Sequence, residues 1–271
     1  MDNISGTLII ATYNWPEALE LCLKSVLAQT ELPAEIIIAD DGSANETKEL
    51  INTYRKLSTV TIKHLWHKDD GFRKTIILNE AIRAANYEYI IQIDGDIIIH
   101  HSFIQAHLSA ARQGFFIRGS RTLINKKTTQ VLLQNNLIDV NFFSAGLVNR
   151  VNGLHSGLLS HLHKTITKSS YKNGVIGCNF SYWKKEVVAV NGYNNDITGW
   201  GQEDSELGAR LMNNGIRKRN LKYKAICFHL FHAHFSRDRD ALNMQMLDKT
   251  IKDKIIRCAN GYSNIHPVDI F

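Results

Sequence analysis

Proline is scarce in this chain, three residues in 271, and no proline-, serine- or glycine-rich tract is present. A linker between independent domains therefore has no obvious place, and the length suits one large domain or one domain with a subsidiary lobe. No internal repeat or low-complexity segment stands out. No apolar run approaches the roughly 18–20 residues that span a bilayer. The N-terminus, MDNISGTLIIATYN, has an acidic second residue and no basic segment, so it does not read as an export signal. Cysteine is sparse too. The four (Cys22, Cys178, Cys227, Cys258) are widely spaced with no C-x-x-C pair, which fits free thiols in a reducing compartment. What the chain does have is 44% apolar residues, enough for a sizeable core and too many for disorder. It also carries a formal charge of +6 and a pI near 9.1. That balance favours anionic partners: nucleic acid, an acidic membrane face, a nucleotide or an acidic glycan. The densest basic run, RKRNLKYK (217–224), reads equally well as a solvated surface.

The first third alternates short apolar runs with helical patterns. GTLIIA (6–11) reads as a buried strand. In the helix that follows, Pro16 suits the first turn, and Leu19, Cys22, Leu23 and Val26 share one face. AEIIIADD (34–41) is a second strand. Ser43 and Glu46 have capping-box spacing, opening a helix with Leu50, Tyr54 and Leu57 inward. VTIKHL (60–65), KTIILNEAIRAA (74–85) and EYIIQID (88–94) read as strand, helix and central strand. This alternation predicts an α/β fold with a doubly wound, mostly parallel sheet, whose ligands collect beyond the carboxyl ends of the strands. TYN, DDGS and DGD all fall at those ends.

From 120 to 175 the pattern weakens. KKTTQ and QNN break it, and VNRVNGLHSGLLSHLHK reads as helical. GVIGCNFSYW is expected as a strand. A glycine-flexed loop then runs into a helix with Leu207 and Leu211 inward and Gly215 at its C-terminal cap. LKYKAICFHLFH is expected as a strand and RDALNMQMLDKTIKDKIIRCANG as a terminal helix.

Two aspartates flank Gly95 in IIQIDGDIIIHH (90–101), an apolar setting in which carboxylates need a partner. Paired aspartates at a strand end suit a hard divalent cation carried by phosphates, Mg²⁺ or Mn²⁺. A strand-ending turn is the plainer alternative for Asp94 and Asp96. In IIIADDGS, Asp40 and Asp41 either make a strand-to-helix turn or recognise a nucleotide base; a carboxylate accepts the N3–H of uracil and rejects cytosine.

ATYNW, IADDGS and IDGD, in this order and spacing, resemble a family 2 glycosyltransferase with the GT-A fold. HKDDGFRKTIILNEAI and GWGQEDSEL narrow the resemblance to the branch sharing a C-terminal motif with β-1,4-galactosyltransferases and bacterial chondroitin-polymerase-type enzymes. Together the motifs run from about residue 7 to about 235. The resemblance implies an inverting transfer of a hexose or N-acetylhexosamine from a UDP-sugar, with Mn²⁺ or Mg²⁺, to a glycan or lipid-linked saccharide. It implies that Thr12, Tyr13 and Asn14 line the nucleotide site and that Asp40 and Asp41 contact uridine. Phe72 would pack on the uracil, with Arg73 or Lys74 near the pyrophosphate. Asp94 would face the ribose or metal, and Asp96 would be the direct metal ligand. In GWGQEDSEL, Trp200 would stack on a sugar, Glu203 bind acceptor hydroxyls and Asp204 act as general base. An inverting displacement needs such a base opposite the leaving group, and the first turn of a helix favours an ionised carboxylate. The glycines around Trp200 would let the loop close over the donor.

The resemblance also assigns a metal-completing histidine to CFHLFHAHF, with His229 and His232 ranked nearly equal and His234 lower. In a straight strand that spacing puts the first two on opposite faces, so a shared ion needs a bend between them. A zinc site of these histidines with Cys227 lacks the usual ligand spacing. The chain departs from the family in its glycine-centred DGD, where Gly95 would let metal or ribose approach closely. The implied organisation is a nucleotide-sugar-binding half (1–115), an acceptor-binding and catalytic half (116–237), and a C-terminal helix and tail (238–271). A nucleotidyltransferase would need a glycine-rich, basic N-terminal loop that ATYNWPEA does not provide. A nucleic-acid-binding module would need aromatics interleaved with basic residues, and a non-catalytic sugar-binding relative should have lost a carboxylate. The expected location is cytoplasmic, where UDP-sugars are, with peripheral contact at the inner membrane face through RKRNLKYK or the terminal helix.

Overall fold

The computed structural model describes residues 4–166, 171, 174–233, 237–264 and 266–271. The first elements alternate as expected: β1 (Gly6–Thr12), α1 (Pro16–Leu27), β2 (Glu35–Asp40), α2 (Asn45–Leu57), β3 (Ile62–Trp66), α3 (Lys74–Ala84) and β4 (Tyr89–Asp94). Next come β5 (Ile97–Ile99), α4 (Phe103–Ala110), β6 (Phe115–Arg118), β7 (Ser120–Ile124), α5 (Lys126–Gln134), β8 (Leu147–Val148) and α6 (Gly157–Ile166). The remainder is β9 (Phe180–Trp183), α7 (Lys184–Ala189), α8 (Glu203–Asn213), β10 (Arg217–Asn220), β11 (Ile226–His229), α9 (Asp240–Lys252) and β12 (Asp269–Ile270).

Among the described residues the strands form two sheets, ordered β10-β6-β9-β4-β1-β2-β3-β12 and β5-β11-β7-β8. β1 pairs in parallel with both β2 and β4, and β2 with β3, while β9 and β12 are antiparallel to their neighbours. The two-residue period of β1 divides its side chains between two layers. Leu8 and Ile10 pack with Leu19, Cys22, Leu23 and Val26 of α1 on one face. Ile9 and Ala11 pack with Ile77, Leu78 and Ala81 of α3 on the other, in a cluster that includes Leu207 and Leu211 of α8. Helices therefore cover both faces of the large sheet, as continuous apolar strands require. The smaller sheet has its own core, in which Ile98, Ile226 and Phe228 meet Ala18 and Leu21 of α1 and Leu132 of α5.

Several expectations fail for local reasons. Ser43 does not cap α2: the cap position is Ala44, and Ser43 Oγ instead accepts from the Asn14 backbone N–H at 2.9 Å. Leu57, expected inward, is 68% exposed at the frayed end of α2. KKTTQ does not break structure but opens α5, because Asn125 caps it by accepting from Thr128 N. The expected strand at GVIGCNFSYW is confined to β9, after a 3-10 turn over Gly177–Asn179. LKYKAICFHLFH is strand only over β11, and the terminal helix stops at Lys252. The basic run is not simply solvated surface: its first half is β10, an edge strand with Lys218 buried. Lysine-rich edges discourage pairing with other chains. Gly215 does sit just past α8 at φ 83°, the left-handed conformation expected of a helix-ending glycine. The final segment folds back on the large sheet, where β12 pairs with β3.

α8 is anchored by a buried ion pair. Arg210 Nε donates to Glu206 Oε1 at 2.9 Å, Arg210 Nη2 to Glu206 Oε2 at 2.7 Å, and Arg210 Nη1 to the Val190 carbonyl at 2.6 Å. Thr250 of α9 adds its hydroxyl to Glu206 Oε1 at 3.0 Å. Removing one buried partner strands the other charge, so Arg210→Ala is expected to lower unfolding free energy by about 3–5 kcal/mol. Arg210→Met with Glu206→Leu should recover most of it; urea denaturation of the two variants checks this.

Candidate active site

Parallel pairing brings three strand ends to one level. Thr12 of β1 is in register with Asp40 of β2, and Ala11 with Asp94 of β4. Asn14, at φ 46°, ties the first two ends together: its side-chain oxygen accepts from Ala44 N at 2.8 Å. Thr12 is buried beside the DGD turn, while Tyr13 is exposed and donates its hydroxyl to Asp69 at 2.9 Å.

The first aspartate of DDGS is an inward brace. Asp40 is 1% exposed, with Oδ1 accepting from Ser43 N at 2.8 Å and Oδ2 paired with His64 Nε2 at 2.8 Å. A direct uridine contact by Asp40 is not offered by this geometry. Asp41 pairs with His67 Nε2 at 2.7 Å and accepts from the Arg73 backbone N–H at 3.0 Å, which ties β2 to the start of α3. Phe72 is half-buried just before α3. The Arg73 guanidinium folds back toward Asp70 and the Lys68 carbonyl. Lys74 is thus the cation that reaches the DGD carboxylates.

Lys74 Nζ lies 2.8 Å from Asp94 Oδ1 and 3.9 Å from Glu203 Oε1, joining the end of β4 to the first turn of α8. Burial opposes its charge, but Asp94, Asp204 and Glu203 outweigh burial and hold its pKa well above the usual lysine range. Burial likewise works against Asp94, yet Lys74 keeps that carboxyl below its ordinary value. Glu203 is pushed up to about 7, by burial first and by Asp204 second. Asp204 is raised mainly by burial, with Lys74 opposing. Its Oδ1 lies 3.0 Å from the Tyr193 hydroxyl, itself 2.9 Å from Gln92 Oε1, which also accepts from Tyr182 at 3.1 Å. Gly177 is what lets Asp204 sit there: a Cβ on it would fall 2.2 Å from Asp204 Oδ2. Tyr193, Gln92 and Gly177 were not singled out from the sequence, because their partners are far apart along the chain and no local pattern marks them.

Across the DGD turn, Asp96 Oδ2 lies 3.4 Å from His229 Nε2 and 3.3 Å from His232 Nε2. β11 ends at His229, which supplies the bend that brings both rings to one carboxylate. Each Nδ1 donates to a backbone carbonyl at 2.8 Å, Leu230 O and Ala233 O respectively, which leaves Nε2 as the nitrogen of each ring that a metal could take. Asp96 Oδ1 is buried with no hydrogen-bond partner among the described residues. A compact donor set of one carboxylate and two imidazoles with an orphaned oxygen fits a divalent ion. Cys227 is not part of it, and His234 lies outside the described residues. Gly95 has a structural reason rather than a ligand-facing one. A Cβ there would meet Thr12 Oγ1, the Ala11 carbonyl and Leu19 at 3.1–3.3 Å, and its N–H donates to Ala11 O at 2.7 Å.

Trp200 is half-buried between Gly199 (φ 74°) and Gly201 (φ 110°), with Gln202 also left-handed at 72°. The glycines serve packing as well as backbone freedom. A Cβ on either would come within 2.9 Å of Arg239 or Asp240, at the start of α9. Buried Asn243 donates to the carbonyls of Thr198 and Gly201 at 3.2 and 3.0 Å, fixing the loop from below.

The geometry brings together an α/β sheet with acidic strand ends, a candidate divalent-ion donor set and a paired Glu-Asp at a helix start. The profile of Glycosyl transferase family 2 matches residues 7–152, and that of the N-terminal domain of galactosyltransferase matches residues 160–233. The chain belongs to glycosyl transferase family 2; it is a glycosyltransferase with a GT-A architecture. It is 27% identical over 239 residues to a chondroitin synthase of Escherichia coli, covering 82% of this chain and 34% of that protein. The chain thus spans about a third of that relative. Among solved structures, it is similar to a mannosyltransferase of Pyrobaculum calidifontis in complex with GDP-Man and Mn²⁺, at TM-score 0.57 and 14% identity, covering 84% of this chain and 57% of the other. It is also similar to GalNAc-T7 with UDP, GalNAc and Mn²⁺, at TM-score 0.63 and 12% identity, covering 86% and 45%. Among the described residues no helix is long and apolar enough to cross a membrane.

The raised Glu203 carboxyl has a consequence for stability. Its ordinary value is 4.5 and its folded value about 7, so the unfolded chain releases this proton first. Ionisation then opposes folding, and this contribution falls as pH rises from about 4.5 to about 7. Glu203→Gln is expected to melt a few degrees above the parent at pH 8, with the gap closing by pH 4. Calorimetry at both pH values checks this, and a gap that does not change with pH would contradict it.

Proposed function

We propose that this glycosyltransferase performs an inverting, divalent-metal-dependent transfer of a hexose or N-acetylhexosamine from a UDP-sugar to a glycan or lipid-linked saccharide. The setting would be surface polysaccharide or lipopolysaccharide assembly on the cytoplasmic side of the membrane. The observation that carries this reading is the convergence of Asp94, Asp96, Glu203 and Asp204 around Lys74 and the histidine pair. Asp96, His229 and His232 would hold the ion. Two imidazole donors favour Mn²⁺ over Mg²⁺, which prefers oxygen ligands. When bound, such an ion supplies Lewis-acid stabilisation of charge on a departing diphosphate. The manganese in two solved neighbours supports the assignment.

The chain's own residues supply the rest. Thr12, Tyr13 and Asn14 form the nucleotide wall, Asp41 is the uridine-side carboxylate, and Asp40 braces it from behind. Phe72 packs on the uracil. Lys74 sits on the phosphate side and holds Asp94 toward the ribose or ion. Trp200 stacks on a sugar and excludes water, and Glu203 binds acceptor hydroxyls. Asp204 takes the acceptor proton, its orientation set by Tyr193 and by the space that Gly177 leaves. A carboxyl raised by burial is the kind of group a general base at neutral pH requires.

Asp96→Ala is expected to abolish both transfer and metal-dependent UDP binding, measured by calorimetric titration with and without Mn²⁺. Asp204→Asn should keep UDP binding and lose about 10²–10⁴-fold in turnover. Near-full activity of Asp204→Asn would remove it as the base.

A further inference from the structure

Helix α6 is inside out. Ser160 is 2% exposed and its buried hydroxyl has no hydrogen-bond partner among the described residues, while Leu158 and Leu162 are 72% and 49% exposed. Residues four apart share a helix face, and Leu159 beside them is also exposed. A water-facing helix normally shows the reverse order, so the face calls for an apolar cover.

The surroundings indicate which. Ser156 N, just before α6, donates to the Tyr223 carbonyl at 2.9 Å, and the His163 ring meets Tyr223 edge-on at 6.0 Å. Lys222 Nζ is 5.0 Å from the same tyrosine ring. Lys222 lies close enough to lower the pKa of His163 after burial, and Lys224 that of His155 after burial and His101. Lys222 and Lys224 form a cationic rim beside the helix, in a chain whose formal charge is +6. A second copy of the chain would be a poor cover, because two-fold pairing of leucine faces would bring both lysine rims together. An anionic surface with an apolar interior satisfies both the leucines and the lysines. Nothing here depends on the reading of the reaction.

We propose that α6, flanked by Lys222 and Lys224, is a docking face for an anionic phospholipid bilayer, with Leu158, Leu159 and Leu162 set into the headgroup boundary. Such a helix lies in the plane of the interface, held by buried apolar area and by attraction to acidic lipid. The buried face of α9 is committed to α8 and the Trp200 loop.

The test is co-sedimentation with vesicles of phosphatidylcholine alone and of an equimolar mixture with phosphatidylglycerol. The full chain should pellet with the mixed vesicles only, and less as salt rises. Lys222→Gln and Lys224→Gln should each weaken binding about fivefold. Leu158→Ser with Leu162→Ser should weaken it at least about tenfold, with an unchanged melting temperature and UDP binding. Failure to pellet with acidic vesicles, or pelleting indifferent to the leucine changes, overturns the proposal. So does a dimer in sedimentation equilibrium that the leucine changes dissolve, which would assign the face to a second copy.

Discussion

The position of Lys74 is the constraint on which this site depends. It contacts Asp94 at the end of a central strand and reaches Glu203 at the start of α8, two elements more than a hundred residues apart in sequence. If all four were ionised, Asp94, Asp96, Glu203 and Asp204 would place four negative charges in a partly closed crevice against one ammonium. Burial, more than mutual repulsion, raises Asp96, Glu203 and Asp204, and only Asp94, in direct contact with Lys74, is lowered. Surplus negative charge of this kind is what a site destined for a divalent cation should show when only its own side chains are counted.

The same imbalance explains why so much of the surrounding polypeptide is committed to holding carboxylates still. Asp40 and Asp41 are each braced by a histidine and a backbone N–H. Asp204 is bracketed by Tyr193 and Gly177. Two residues further on, Glu206 is tied to Arg210 and Thr250, and α9 clamps the loop carrying Trp200 through Asn243. Helix α9 is therefore structural support for the loop carrying Trp200.

This arrangement also separates what the sequence could reveal from what it could not. β1 to β4 and their helices were legible because a two-residue or 3.6-residue period is local, and parallel strands put their polar ends together by geometry. The cluster of Asp96, His229 and His232 is legible as residue types, and a strand over both histidines requires the bend that the fold supplies. The role of Asp40 was misread because an aspartate at a strand end looks the same whether it faces a ligand or His64. Ser43 was misread for the same reason, its cap geometry lost to Asn14. α5 was missed because its lysines and threonines carry no strong apolar period, and Asn125 is a cap only if the helix is already suspected. Tyr193, Gln92 and Gly177 are invisible to any local reading, since each matters only through residues at least 11 positions away.

The DGD turn has a further role that follows from the sheet order. Asp94 ends β4 in the large sheet, and Ile97 begins β5 in the small one. Gly95 sits at the crossing, pressed against β1 too closely for a side chain to fit easily. Asp96 is therefore at the seam between the sheets, and its carbonyl accepts from Leu230 N at 3.0 Å, where β11 leaves the small sheet. Thr12, Asp40 and Asp94 end strands of the large sheet, and both histidines follow from the small one. A ligand that draws Asp96, His229 and His232 together must also bring the two sheets into a fixed relation. The large sheet and the smaller one, with β7 and β8, are then joined through three side chains and one glycine.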